Sequence, residues 1–97
     1  MIVEIQCLPN PAGTPDDRYA HVEAAIAVLR SSGLKVEVGP LGTTVEGDPD
    51  ELWPLVRQAH EAVLASGADG LVSIVKVAQA GEASRQATID DLVGKFR

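Results

Sequence analysis

The sequence predicts an α+β domain in which a four-stranded antiparallel sheet carries two helices on one face. Segments that alternate apolar and polar residues, and segments with helical periodicity, follow one another as strand, helix, strand, strand, helix, strand, with a short terminal helix. Capping sequences and glycines mark where the helices begin and end. Because 97 residues suit a single core, we expect residues 1–97 to form one domain.

The first predicted strand is the segment IVEIQCL near the start of the chain. It places Val3, Ile5 and Cys7 on one face and Glu4 and Gln6 on the other. Cys7 is the single cysteine, which excludes a disulfide within the chain and any paired-cysteine site. We expect it to be a buried small apolar residue.

The first predicted helix begins at the sequence TPDD and ends before Gly33. Thr14 is expected to cap the helix, and Pro15 to occupy its first position, where a missing N–H costs nothing. Gly33 can adopt the left-handed conformation that closes a helix. The expected buried stripe consists of Val22, Ala25, Ile26 and Leu29.

The second and third predicted strands, LKVEV and TTVEG, are joined by the turn Gly39–Gly42. Alternation places Glu37 on one face of the second strand. In the third strand it places Thr44 and Glu46 on one face and Thr43 on the other. The two strands and their short turn predict a hairpin in the middle of the chain.

The second predicted helix begins at Asp48 and Pro49 and ends at Gly67, by the same capping arguments. Its expected stripe consists of Leu52, Val56, Ala59 and Val63. The fourth strand, GLVSIVKV, is apolar on both faces, and a short third helix is expected to start at Thr88. This order of elements is typical of the ferredoxin-like fold.

The sheet face without helices is the first candidate site. We expect it to present Glu4, Gln6, Glu37, Thr44, Glu46, Val72, Ile74 and Lys76. The simplest interpretation is a solvated face, which antiparallel sheets commonly have. Apolar residues beside acids instead favour a covered face. We expect another subunit to cover it and to leave a carboxylate-lined cavity between the sheets.

Composition excludes several classes of protein. With 14 acidic and 8 basic residues, a net charge of −6, the chain repels nucleic acid and anionic lipid. No segment approaches the length of a membrane helix, and we expect a cytoplasmic protein. His21 and His60 are expected on helix surfaces, and no side chains form a nucleophile–base set. We therefore expect a non-enzyme with no metal and no resident cofactor.

Several segments resemble the small thiamine-binding protein family. They are the helix exit SGLK, the turn GPLGT, the EG before the second helix, the AHEAV within it and the strand IVKV. Together they cover nearly the whole chain, and the series GPLGT, EG and AHEAV is fairly specific. The loop PNPAGTPDD and the segment AQAGEASRQ depart from the family pattern.

The resemblance implies a ferredoxin-like fold, homodimers or homotetramers formed sheet to sheet, and non-catalytic binding of thiamine or its hydroxymethylpyrimidine part. Acidic side chains would offset the thiazolium charge, and hydroxyl and amide groups would pair with the pyrimidine edge. The candidate ligand-binding residues are Glu4, Gln6, Glu37, Gly42, Thr43, Thr44, Glu46 and Lys76.

Two alternatives remain open. The first is a structural or regulatory oligomerisation module without a vitamin ligand, and the second is an amino-acid-sensing domain of the same topology. A ligand bound only by the folded state raises the melting temperature, so a panel of vitamins and amino acids separates the three. Phosphorylated thiamine is less favoured, because the expected site offers several acids and one lysine.

Overall fold

The computed structural model describes all residues, 1–97, and contains four strands and three α-helices. The strands are β1 (Ile2–Asn10), β2 (Lys35–Val38), β3 (Thr43–Glu46) and β4 (Gly70–Ala78). The helices are α1 (Ala20–Arg30), α2 (Pro49–Ala65) and α3 (Ile89–Val93), and single 3-10 turns span Ala83–Arg85 and Gly94–Phe96. The order of elements is the predicted one.

The four strands form one antiparallel sheet in the order β2-β3-β1-β4. This order confirms the ferredoxin-like prediction. Glu4 in the central strand β1 lies opposite Thr44 of β3 and Lys76 of β4, so these three side chains share one face. We call this surface, which α1 and α2 do not cover, the open face. Val3 and Val45, also opposite each other, point to the helices.

The core lies between the other face of the sheet and the two long helices. Its most deeply buried members are Leu29, Leu52, Val3, Val45 and Val63. The stripe predicted for α2 is confirmed at three of its four positions. At the fourth, Leu55 is buried and Val56 only packs against the core.

The first helix begins later than predicted, at Ala20 instead of Pro15. Thr14 does accept a hydrogen bond from the amide of Asp17, at 3.0 Å, but its own amide donates to the Asp17 carbonyl at 2.8 Å. These two bonds close an isolated turn. The amides of His21 and Val22 in the first turn of α1 instead donate to the carbonyl of Ala12. A backbone carbonyl of the loop therefore satisfies the amides that a capping side chain was expected to satisfy.

The other helix boundaries are confirmed. Pro49 begins α2 after Asp48, and Gly33 and Gly67 follow α1 and α2 with φ of 77° and 118°. Thr88 caps α3 in a capping box with Asp91. Asp48 precedes α2 as predicted, but its side chain makes no capping hydrogen bond, so the expected cap is wrong although the boundary is right. The boundaries themselves failed only at the start of α1, where a loop carbonyl replaced the capping side chain.

The prediction that both histidines lie on helix surfaces was wrong. His21 is buried, and its Nδ1 lies 2.7 Å from the hydroxyl of Ser66 at the end of α2. Because that hydroxyl already donates to the Val63 carbonyl at 2.7 Å, the His21 Nδ1 must be the donor. His60 is half-buried and bonded to Ser73. Both histidines join separate elements of the fold.

The C-terminal segment, residues 88–97, docks on side chains that β2 and β3 present on the open face. The amide of Ile89 donates to Oε1 of Glu46 at 2.9 Å, and Asp90 pairs with Lys35. Arg97 pairs with Glu37. Ile89 is only 3% exposed, so the segment is anchored by one apolar side chain and several polar contacts.

Candidate functional site: a cavity at the β2–β3 turn

A cavity of about 260 Å³ lies between β1, α1 and the turn that joins β2 to β3. Strand β1 contributes Ile5–Leu8 to its wall, and the turn with the start of β3 contributes Gly39–Thr43. The remaining wall comes from α1 and from Tyr19 just before it. Most of the lining side chains are apolar, as in many small-molecule sites.

Two glycines shape the turn: Gly39 lets it close on itself, and Gly42 lets it approach β1. The amide of Gly39 donates to the carbonyl of Gly42 at 2.9 Å, and a Cβ on Gly39 would stand 2.9 Å from that same oxygen. A Cβ on Gly42 would stand 3.1 Å from Cγ of Glu4. Any other residue at either position would push the turn or the Glu4 side chain away, and the mouth of the cavity would change shape.

Thr43 is the polar side chain best placed inside the cavity. It lies on the helix-facing side of β3 and is only 4% exposed. No hydrogen bond within the chain engages its hydroxyl, and no side-chain oxygen or nitrogen in the chain is both fully buried and unpartnered. The hydroxyl of Thr43 therefore keeps its accessible surface in the cavity that the residue lines.

Cys7 lines the same cavity from β1. It is half-buried, and burial raises the pKa of its thiol, although a hydrogen bond with Ser73 acts in the opposite direction. Its Sγ lies 3.6 Å from Oγ of Ser73, which in turn lies 2.6 Å from Nδ1 of His60. The thiol is thus a neutral group at neutral pH. The hydroxyl of Ser73 on β4 links it by hydrogen bonds to His60 on α2.

The eight predicted site residues fall into two groups. Gln6, Gly42 and Thr43 line the cavity, and Glu4 packs on Gly42 from the open face. The other four, Glu37, Thr44, Glu46 and Lys76, belong to the open face. The structure does not gather all eight at one point, and their joint role in binding stays a prediction.

The carboxylates of the open face all have partners within the chain. Oε1 of Glu4 lies 3.7 Å from Nζ of Lys76. Glu37 pairs with Arg97, and Glu46 accepts the amide of Ile89. Each of these carboxylates is therefore engaged by another group of the same chain, a cation at Glu4 and Glu37 and a backbone amide at Glu46.

Apolar residues of β4 complete the open face, as expected. Val72 is 62% exposed and Ile74 is 46% exposed, and both lie on this side of the sheet beside Leu8 and Gln6 of β1. The apolar patch next to the acids is thus present. The subunit expected to cover it stays a prediction.

Sequence reasoning missed the α1 side of the cavity. Val22 and Ile26, which we expected in a buried stripe, line the cavity together with Tyr19. The turn GPLG was the signal that could have found it, because two closely spaced glycines indicate a close approach of the backbone. Which helix would face that turn is not encoded in any local pattern.

The fold contains neither a cluster of metal-binding side chains nor a helix able to span a membrane. No group of three or more His, Cys, Asp or Glu side chains is arranged to hold a metal ion. None of the helices has both the length and the apolar character needed to span a bilayer.

The fold and the site together define a class: a ferredoxin-like α+β domain with a small, mostly apolar cavity beside a glycine-rich turn. The chain belongs to the thiamine-binding protein family, because the model of that family, described as "Thiamine-binding protein", matches residues 3–97. The resemblance seen in the sequence is thereby confirmed.

Relatives and solved structures agree with this assignment. A UPF0045 protein of Clostridium perfringens is 38% identical over 96 residues, which cover 98% of this chain and 95% of the relative. A domain of unknown function, DUF77, from Bacillus cereus has a TM-score of 0.79 and 33% identity, covering 100% of this chain and 91% of that one. A candidate thiamine biosynthesis/salvage protein from Thermotoga maritima has a TM-score of 0.77 and 27% identity, with full coverage of both chains.

Proposed function

We propose that this chain binds thiamine or its hydroxymethylpyrimidine part without transforming it, and that the pyrimidine ring occupies the cavity at the β2–β3 turn. The observation that carries the proposal is Thr43, a residue only 4% exposed whose hydroxyl has no partner in the chain, in the wall of a cavity built by the family's GPLGT motif. Because this hydroxyl is open to the cavity and uncommitted, it can donate to and accept from a ligand there.

The chemistry of the cavity suits an aminopyrimidine. The ring has two apolar faces, and the apolar residues of α1 and β1 supply surfaces for them. Its edges carry hydrogen-bond donors and acceptors, which the hydroxyl of Thr43 can match. The side chain of Gln6 belongs to the open face, so we assign it to the rim, beside Glu4. A ligand that left the Thr43 hydroxyl unpaired would lose affinity, because desolvation would then go uncompensated.

Charge supports an unphosphorylated cation as the ligand. The chain has a net charge of −6, and no Lys, Arg or His lines the cavity. A phosphate would find no cation there, whereas the thiazolium of thiamine suits a negative field. Glu4, which packs on Gly42, is the carboxylate that we assign to the thiazolium. Glu37, Glu46 and Lys76 are assigned to the open face around it.

A matched pair of substitutions tests where the ligand binds. Thr43→Val and Thr44→Val each replace a hydroxyl by a methyl group, on opposite faces of the same strand. We expect Thr43→Val to weaken thiamine or hydroxymethylpyrimidine binding about two- to tenfold, the value of one hydrogen bond, by titration calorimetry. Thr44→Val is expected to bind as the parent does.

The opposite result would place the ligand on the other face of the sheet. If Thr44→Val lost affinity and Thr43→Val kept it, the ligand would lie on the open face, among the carboxylates between two sheets. If neither ligand raised the melting temperature of the parent protein, the binding function itself would be wrong.

A second candidate function is assembly, which the exposed apolar residues of the open face favour. Val72 and Ile74 lie beside the exposed Leu8 on this surface, and such patches commonly mark interfaces. We assign to this face the association into homodimers or homotetramers. Sedimentation velocity on the parent and on Ile74→Glu tests it. A stable oligomer with no thermal shift in a vitamin and amino-acid panel would favour assembly as the only function.

A further inference from the structure

We propose that Cys7 is a ligand-contact residue of the cavity, with its sulfur against the edge of the bound ring, and that Ser73 and His60 are positioning residues that orient the thiol. The inference rests on the proposed function, because the ring is the pyrimidine of thiamine. It adds a contact on the β1 side of the cavity, opposite the turn that carries the family motif.

The first step is that Cys7 lies in the wall of the cavity on the same side of the sheet as Thr43. Ile5 pairs with Thr43 across β1 and β3, and Cys7 lies two residues after Ile5, so Cys7 and Thr43 point to the same face of the sheet. Both line the cavity. Thr43 is only 4% exposed, and its hydroxyl has no partner within the chain and faces this space, which independently supports a polar molecule here.

The second step is the chemical state of the thiol. Because burial raises the pKa of Cys7, the group stays an S–H at neutral pH and is a poor nucleophile. A neutral sulfur is polarizable, and it makes favourable contacts at the edges of aromatic rings. The S–H is also a weak donor, for which a ring nitrogen is a suitable acceptor.

The third step is the hydrogen-bonded chain behind the thiol. Ser73 lies 2.6 Å from Nδ1 of His60 and 3.6 Å from Sγ of Cys7, but it has a single hydroxyl hydrogen. If Ser73 donates to His60, then Cys7 must donate to Ser73, and its hydrogen is used inside the protein. If His60 Nδ1 donates to Ser73, then Ser73 can donate to Sγ, and the S–H is free to point at a ligand.

Ligand binding should therefore select one tautomer of His60. A ring nitrogen that accepts the S–H favours the arrangement in which the hydrogen of neutral His60 is on Nδ1. His60 lies on α2 and does not line the cavity. A change in its tautomer would thus report on the ligand through Ser73 and Cys7, which a purely structural role for these residues would not produce.

The direct test uses the fact that Cys7 is the only cysteine in the chain. Its alkylation by N-ethylmaleimide is followed by mass spectrometry, with and without thiamine or hydroxymethylpyrimidine. At a ligand concentration of about 100 times Kd, only about 1% of the sites are free, so we expect the rate to fall at least about tenfold. Titration calorimetry on the same sample shows separately whether the ligand binds.

A control separates contact from general stabilisation. In the variant Cys7→Ser/Leu64→Cys, the only thiol is on the exposed side of α2, away from the cavity, and it reacts in the folded protein. Protection of Cys7 with an unchanged rate at this exposed thiol supports direct contact, and equal protection of the two thiols would overturn the inference. Leu52→Ala raises the population of the opened protein and should leave the alkylation rate of ligand-free Cys7 unchanged; a rise of about a hundredfold would mean that Cys7 reacts only in the opened protein, which would also overturn the inference.

The positioning role of Ser73 and His60 is tested by a separate measurement, the tautomer of the His60 ring. We expect ¹⁵N NMR of the His60 ring to show a shift toward the Nδ1–H tautomer when hydroxymethylpyrimidine binds. Ser73→Ala should abolish that shift and lower the affinity, and Ser73→Thr, which keeps the hydroxyl, should restore both. Cys7→Ala should lower affinity about two- to tenfold, as the loss of one sulfur–aromatic contact predicts.

The outcomes distinguish the two proposals. Binding by calorimetry without protection of Cys7, or with an unchanged His60 tautomer, contradicts the inference and leaves the proposed function standing. Absence of binding to both thiamine and hydroxymethylpyrimidine contradicts the proposed function, and the inference with it.

Discussion

The two faces of the sheet carry polar side chains from the same strands, and they differ in what those side chains contact. On the open face, Glu4, Glu37 and Glu46 each have a partner within the chain. On the covered face, Thr43 lies in the wall of a cavity with no partner for its hydroxyl. A polar group marks a binding site more strongly when it faces a cavity without a partner than when other groups of the chain already engage it.

The largest expected effect is a difference in stability between truncating a buried residue against the covered face and truncating an exposed residue on the open face. Leu52, which is 0% exposed, packs in the core that lies against the covered face, and Leu52→Ala should lower the free energy of unfolding by about 3 kcal/mol through lost burial and a cavity. Val72→Ala on the open face should cost less than about 0.5 kcal/mol in a monomer. Urea denaturation measures both.

Val72→Ala also tests whether another molecule of the chain covers the open face. If the loss at Val72 approached that at Leu52 and grew with protein concentration, another molecule of the chain would cover the open face in solution. The face would then be a second core shared by two subunits, as the apolar residues of β4 led us to expect.

An intermediate effect is expected where the C-terminal segment docks on the open face. Ile89 is the buried anchor of this segment, and Ile89→Ala should cost about 2 kcal/mol. Hydrogen exchange should show lost protection in residues 88–97 with little change in the sheet. The matched control is Leu92→Ala in the same helix, where the side chain is exposed. Equal loss in both variants would mean that Ile89 is not the anchor.

Much of the fold could be predicted because local chemistry and the final structure agree. Pro49 and Gly67 bound α2 as their backbone preferences require, and the alternation of β1 placed Glu4 and Val3 on the correct faces. The start of α1 could not be predicted. There, two arrangements competed, and the carbonyl of Ala12, brought close by the loop, took the place of the expected cap.

Less of the site could be predicted, and the reason is tertiary. The turn residues Gly42 and Thr43 were found from the motif, but the helix that closes the cavity was not. The partners of the open-face carboxylates were missed as well. Arg97 reaches Glu37 from 60 positions away in the sequence, and no local period or spacing encodes such a contact.

The smallest expected effect concerns the charges that hold the C-terminal segment to the open face. Lys35, and to a lesser degree Arg97, hold the pKa of Asp90 below its usual value. Because this pKa is lowered by folding, the stabilising pairing is fully present above the usual carboxyl range and is lost as pH falls through the lowered pKa. We expect α3 to loosen only under acid conditions.

A carboxyl NMR titration measures this effect, and Lys35→Met should return the pKa of Asp90 toward its usual value. Lys95→Met is the control, because Lys95 lies in the same segment and forms none of the ion pairs. Salt should reduce the shift, since both partners are exposed and screened. If Lys35→Met left the pKa of Asp90 unchanged, Lys35 would not pair with Asp90 in solution, and the C-terminal segment would be held to the open face by Ile89 and the remaining polar contacts alone.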